Sequence, residues 1–94
     1  MTEQELFIRI VNAGSLAAVA RELRTEPSTV SRRLRALEDR LGVRLIRRSR
    51  VRSVPTDAGQ RYYQTLRPLL EQLSALEADV SGSANEPSGV LRVA

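Results

Sequence analysis

The 94 residues predict a mainly α fold, with a helix-turn-helix, a small basic β-hairpin and a long C-terminal helix. Three observations carry that expectation. Two short amphipathic helices flank a three-residue connection, Arg24-Thr25-Glu26. Residues 43–55 mix β-branched and basic residues in a hairpin-like run. From Tyr62 to Val80, apolar residues recur at heptad spacing.

The first helix begins at a capping box, with Thr2 as N-cap and Glu5 three residues on. Leu6, Phe7, Ile10 and Val11 recur at helical spacing, and Ala13-Gly14 stops the run. Ser15 caps a second helix that ends near Leu23. Its apolar face is Leu16, Val19, Ala20 and Leu23, and its alanines allow close helix approach. Pro27 opens a third helix at the position where proline is tolerated. That helix is expected over 27–40, with Val30, Leu34, Leu37 and Leu41 in one stripe and Gly42 as its C-cap.

No strong turn dipeptide marks the hairpin that follows, in which Leu45 and Ile46 are expected to face inward. Thr56 caps the last helix, and Asp57 favours its first turn. The helix is expected from Asp57 to about Val80, a rod of roughly 36 Å at 1.5 Å per residue. Tyr62, Leu66, Leu69, Leu73, Leu76 and Val80 form its seam. So small a domain cannot bury that seam alone, and pairing with a second copy is the expected solution; packing on its own N-terminal bundle is the alternative. Pro68 should bend the rod near Thr65–Arg67. Ser81–Ser88 reads as a flexible tail, and Val90–Val93 as the start of a strand belonging to a following domain.

Composition excludes several functions. The chain has 15 basic residues, all Arg, against 11 acidic ones, and contains no His, Cys or Trp. Disulfides, Cys/His zinc sites and Ser–His or Cys–His catalytic pairs are therefore impossible. Paired carboxylates and a phosphate loop are also lacking, so no catalytic residue, metal ligand or cofactor site is assigned and the chain does not read as an enzyme. No apolar run approaches the roughly 18 residues of a membrane span, and no secretory signal opens the chain. A cytoplasmic protein is expected.

Charge is concentrated. Residues 21–52 hold eleven Arg against four acids, net +7, while the flanks are net −1 and −2. Such a block suits a polyanion; a solvated Arg-rich surface is the competing reading. Rotation of the third helix at about 100° per residue puts Ser28, Arg32 and Arg35 opposite the apolar stripe, flanked by Thr29 and Ser31. Small hydroxyls and guanidinium groups are the chemistry of base edges and phosphates. Asp39 lies at the far end of the same face. In the hairpin, Arg44, Arg47, Arg48, Arg50 and Arg52 supply five guanidinium groups, with Arg50 and Arg52 at the tip. Some must be structural, with one expected to pair with Glu38 or Asp39. A basic tip beside a projecting helix suits a narrow minor groove. Double-stranded DNA is the expected partner. RNA fits less well, because the third helix offers no aromatic stacking platform. A helical protein-interaction module is a second class of reading, separated by insensitivity to DNA at all salt concentrations. Burial of Ser28, Arg32 and Arg35 inside the monomer would defeat the DNA reading.

Ala13-Gly14-Ser15-Leu16 through Val30-Ser31-Arg32, then Leu37–Val43, then Thr56-Asp57-Ala58-Gly59 resembles the N-terminal domain of LysR-type transcriptional regulators across about residues 4–80. The resemblance implies a winged helix-turn-helix with a small basic β-hairpin wing and a long C-terminal linker (dimerisation) helix. It implies a bacterial regulator that binds an imperfect inverted repeat as a homodimer, with a dimer or a tetramer for the full-length protein. It also implies a small-molecule effector acting only through a C-terminal domain beginning near Val90. The organisation expected is residues 1–56 as DNA-binding domain, 57–82 as linker helix and 83–94 as hinge. Carried over by position, Ser28, Thr29, Ser31 and Arg32 match base- or phosphate-contacting positions, and Arg48 matches a recurrent Arg at the base of the wing. Four positions depart from the pattern. Thr25 replaces an apolar turn residue, Glu26 a Ser N-cap, Val51 a wing-tip Arg, and Pro55 an apolar residue before Thr56.

Overall fold

The structure, a computed structural model, describes residues 1–49 and 52–85. Its order is α1 (Glu3–Ala13), α2 (Leu16–Leu23), α3 (Pro27–Leu41), β1 (Ile46–Arg48), β2 (Ser53–Pro55) and α4 (Asp57–Asn85).

Local signals account for the boundaries. Thr2 and Glu5 form the expected reciprocal capping box on α1. Ser15 Oγ accepts from the Ala18 N–H at 3.2 Å and starts α2. Gly14 and Gly42 end α1 and α3 at φ +73° and +74°, a region that favours glycine. Arg24 ends α2 in the same region at φ 56°. The expected connection Arg24-Thr25-Glu26 is thus in place, although Arg rarely adopts the left-handed conformation that closes it.

Leu6, Phe7 and Ile10 of α1, Val19 and Ala20 of α2, and Val30, Leu34 and Leu37 of α3 form one core, closed by Leu45 and Ile46. Each large side chain buried there contributes about 1.5–3 kcal/mol. Leu41 leaves the stripe predicted for it and is 41% exposed. It is the last residue of α3, where the helix has run past the core.

The hairpin pairs Ile46 with Pro55, Arg47 with Val54 and Arg48 with Ser53. Ser49 and Arg52 close its tip through N–H···O and hydroxyl bonds at 2.9–3.1 Å. Its base is anchored where the Ser53 N–H donates to the Gly14 carbonyl at 3.0 Å.

One expectation for the last helix is corrected. The helix does not give way to a tail at Ser81 but continues to Asn85. No proline lies between Pro68 and Pro87, and a lone Gly82 costs only about 1 kcal/mol. Pro68 lies inside the helix without ending it, which leaves the expected bend near Thr65–Arg67 as an expectation. The proposed strand from Val90 lies outside the described residues.

Its seam divides into two parts. Tyr62 and Leu66 pack against the core of their own bundle, with the Tyr62 ring 5.3 Å from Phe7. These two were expected in the intermolecular seam, but the first turns of α4 pass over α1. Leu69, Leu73, Leu76 and Val80 are 48–58% exposed and stand outside that core.

Candidate nucleic-acid interface

Helix α3 begins at Glu26, whose side chain makes no cap hydrogen bond. Its first turn presents the exposed Ser28 and the half-buried Thr29 and Ser31, with Arg32 exposed one turn on. Arg35 is 48% exposed and leans 3.5 Å from the carboxylate of Glu38. The hydroxyl-and-Arg edge therefore faces solvent, as the helical rotation predicts. The remaining arginines of α3 are tethered elsewhere. Arg33 donates to the Met1 carbonyl at 2.6 Å, and Arg40 pairs with Glu3 at 3.3 Å.

The hairpin reaches this edge. A shallow cleft of about 360 Å³ lies between the start of α2, the start of α3 and the hairpin. Ser28, Ser31, Arg48 and Arg52 all line it. Four of the predicted contacts thus share one surface, while Thr29, Arg32 and Arg35 lie along α3 outside the cleft lining. Arg48 donates to the Ser31 hydroxyl and, at 3.4 Å, to the Ser31 carbonyl. Arg50 lies outside the described residues. Among the described residues no acidic group pairs with Arg32, Arg47 or Arg52.

One residue organises the electrostatics, and sequence reasoning gave it too small a part. Glu38, 1% exposed, turns Oε2 to the Leu45 and Ile46 N–H groups at 2.8 and 3.1 Å. Its Oε1 lies 3.3 Å from Arg44 and 3.5 Å from Arg35. The expected Arg partner of Glu38 or Asp39 is Arg44, which also lies 3.7 Å from Asp39. A carboxylate at the end of α3 thus holds the start of the hairpin in place. Burial lowers the Arg48 pKa from its ordinary value, Glu38 opposes that change, and Arg35 and Arg44 add to it. Arg35, Arg44 and Arg48 gather around Glu38, with Asp39 beside Arg44, so three guanidinium groups face two acids and a positive excess remains.

Gly59, in the Thr56-Asp57-Ala58-Gly59 motif, has a steric role. A Cβ there would lie 2.0 Å from the Leu45 carbonyl oxygen, so only glycine lets α4 cross the hairpin. The legible signal was a Gly in the first turn of an otherwise good helix. Thr56 Oγ1 supports the crossing, accepting from the Gly59 N–H at 3.0 Å and donating to the Arg44 carbonyl at 2.7 Å.

The model of bacterial regulatory helix-turn-helix proteins of the lysR family matches residues 1–60. The chain belongs to the LysR family. This LysR-type domain is 33% identical over 91 residues to the HTH-type transcriptional regulator CrgA of Neisseria meningitidis, covering 97% of this chain and 30% of that protein. It is 35% identical over 94 residues to the HTH-type transcriptional activator AaeR of Escherichia coli, covering 99% and 30%. Its fold matches that of the CbnR DNA-binding domain solved with DNA, at TM-score 0.77 and 33% identity over 89% of this chain and 95% of that one. The LysR-type domain spans about 30% of the length of these curated relatives. The hairpin is accordingly the wing of a winged helix-turn-helix, and the chain is a DNA-binding domain of this family of transcriptional regulators. Among the described residues no helix is long and apolar enough to cross a membrane.

Proposed function

We propose that this LysR-type domain binds double-stranded DNA sequence-specifically as a homodimer on an inverted-repeat operator, in the bacterial cytoplasm. Helix α3 enters the major groove and the wing enters the flanking minor groove. Ser28, Thr29, Ser31, Arg32 and Arg35 act from the helix, and Arg48, Arg50 and Arg52 from the wing. Residues 1–56 form the reading head, and the linker helix from Asp57 runs to Asn85, three residues into the segment 83–94 expected as hinge. A small-molecule effector acts through a further domain of the longer protein. No catalytic step is part of this reading.

One observation carries the proposal. Ser28 and Ser31 of α3 share one cleft with Arg48 and Arg52 of the wing, and among the described residues no acid pairs with Arg32 or Arg52. The structure of CbnR with its target DNA, 34% identical to this chain, supports it. Phosphate contacts supply most of the affinity and a steep salt dependence.

Selection of bound duplexes from a random pool should return two half-sites in inverted order. Arg32→Ala should weaken binding to that sequence by about 1–3 kcal/mol; unchanged affinity in an electrophoretic titration would remove Arg32 from the interface. For the dimer, the exposed run Leu69, Leu73, Leu76 and Val80 is the supporting observation. Leu73→Asp should yield monomers by sedimentation with the helical content of the head intact. A persistent dimer would place the seam elsewhere.

A further inference from the structure

The contact between Arg48 and Ser31 has a chemical direction. A guanidinium group has hydrogens to donate and no lone pair to accept with. Ser31 Oγ must therefore be the acceptor in that bond. The second nitrogen of the same group faces the Ser31 carbonyl at 3.4 Å, so the guanidinium grips side chain and main chain of one residue. A fixed positive charge turns the hydroxyl oxygen toward itself and the proton away. Among the described residues no protein acceptor takes that proton. Ser31 also lines the cleft shared by Ser28 and Arg52.

We propose that Arg48 is a positioning residue that presents Ser31 as a hydrogen-bond donor, making Ser31 a specificity-determining contact. This rests on the DNA-binding reading above. A serine hydroxyl ordinarily donates or accepts and so discriminates poorly between bases. Held by Arg48, it favours bases with a major-groove acceptor: guanine N7 or O6, adenine N7, thymine O4. Cytosine offers only its N4 amino donor, which would have to approach an oxygen already beside a guanidinium group. Cytosine is the base excluded beneath Ser31.

The test compares base preferences selected from a random duplex pool by the wild-type protein and three variants, with circular dichroism to check folding. The wild type should exclude cytosine roughly tenfold at one strand-resolved position, the scale of a good base contact. Ser31→Ala should erase that exclusion. Arg48→Gln, whose amide can accept from Ser31, should erase it at the same position. Arg48→Lys, which can only donate, should restore it. If Arg48→Gln instead lowers affinity for every sequence alike and leaves the profile unchanged, Arg48 is a phosphate contact and the inference fails. It fails equally if Arg48→Lys, correctly folded, loses the exclusion. A wild-type protein that binds no duplex would overturn the DNA-binding reading itself.

Discussion

Glu38 links α3 and the wing through one carboxylate. It accepts from two buried backbone donors, and each donor left without a partner costs about 1–3 kcal/mol. Its arginine partners are half exposed, and such pairs contribute about 0–1 kcal/mol. The backbone bonds therefore dominate. Glu38→Ala should lower the urea midpoint sharply. Glu38→Gln keeps an oxygen for both N–H groups and should lose much less. Equal losses in the two variants would mean that the ion pairs carry the stability. Part of this role was legible: helical rotation puts Asp39 opposite the apolar stripe and Glu38 at the stripe's edge, but nothing in the local pattern says that the Leu45 and Ile46 N–H groups meet the Glu38 carboxylate.

At the scale of elements, the helix-turn-helix was legible and its weak point was too. Glu26 stands at the N-cap of α3 and makes no cap bond. Glu26→Ser should gain about 1 kcal/mol from capping and lose about 0.3–1 kcal/mol of charge–dipole attraction. Folding stability should change little. Affinity for duplex should rise, because a negative charge leaves the helix end that faces phosphate in the proposed complex, and the gain should fade with added salt. Titration across salt concentrations checks both parts. Helix α4 was half legible. Its heptad spacing predicted one continuous seam, yet Tyr62 and Leu66 serve the monomer core and only the later positions stay exposed. Periodicity specifies which side of a helix is apolar and is silent on which partner covers each turn.

For the molecule as a whole, the titratable side chains are unusual. Without His, Lys or Cys, no side chain has an ordinary pKa between about 5 and 9. Stability and DNA affinity should both be flat across that range. Burial raises the Tyr62 phenol pKa, with Glu3 adding and Arg40 opposing. The unfolded chain then ionises first. The contribution is present below about pH 10 and is lost as pH rises through the folded value. Tyr62→Phe should make the alkaline decline in urea midpoint shallower; an identical decline would exclude Tyr62 as its source.

Caps at Thr2, Ser15 and Thr56, stops at Gly14 and Gly42, the helical stripes, the basic block and the family could all be read from residue order. Each depends on neighbours within a turn or two, or on a string of motifs. The folded molecule alone disclosed the burial of Glu38, the crossing at Gly59 and the grip of Arg48 on Ser31, 17 residues away. These are contacts between segments that meet only once the core has formed, so no local periodicity or propensity encodes them.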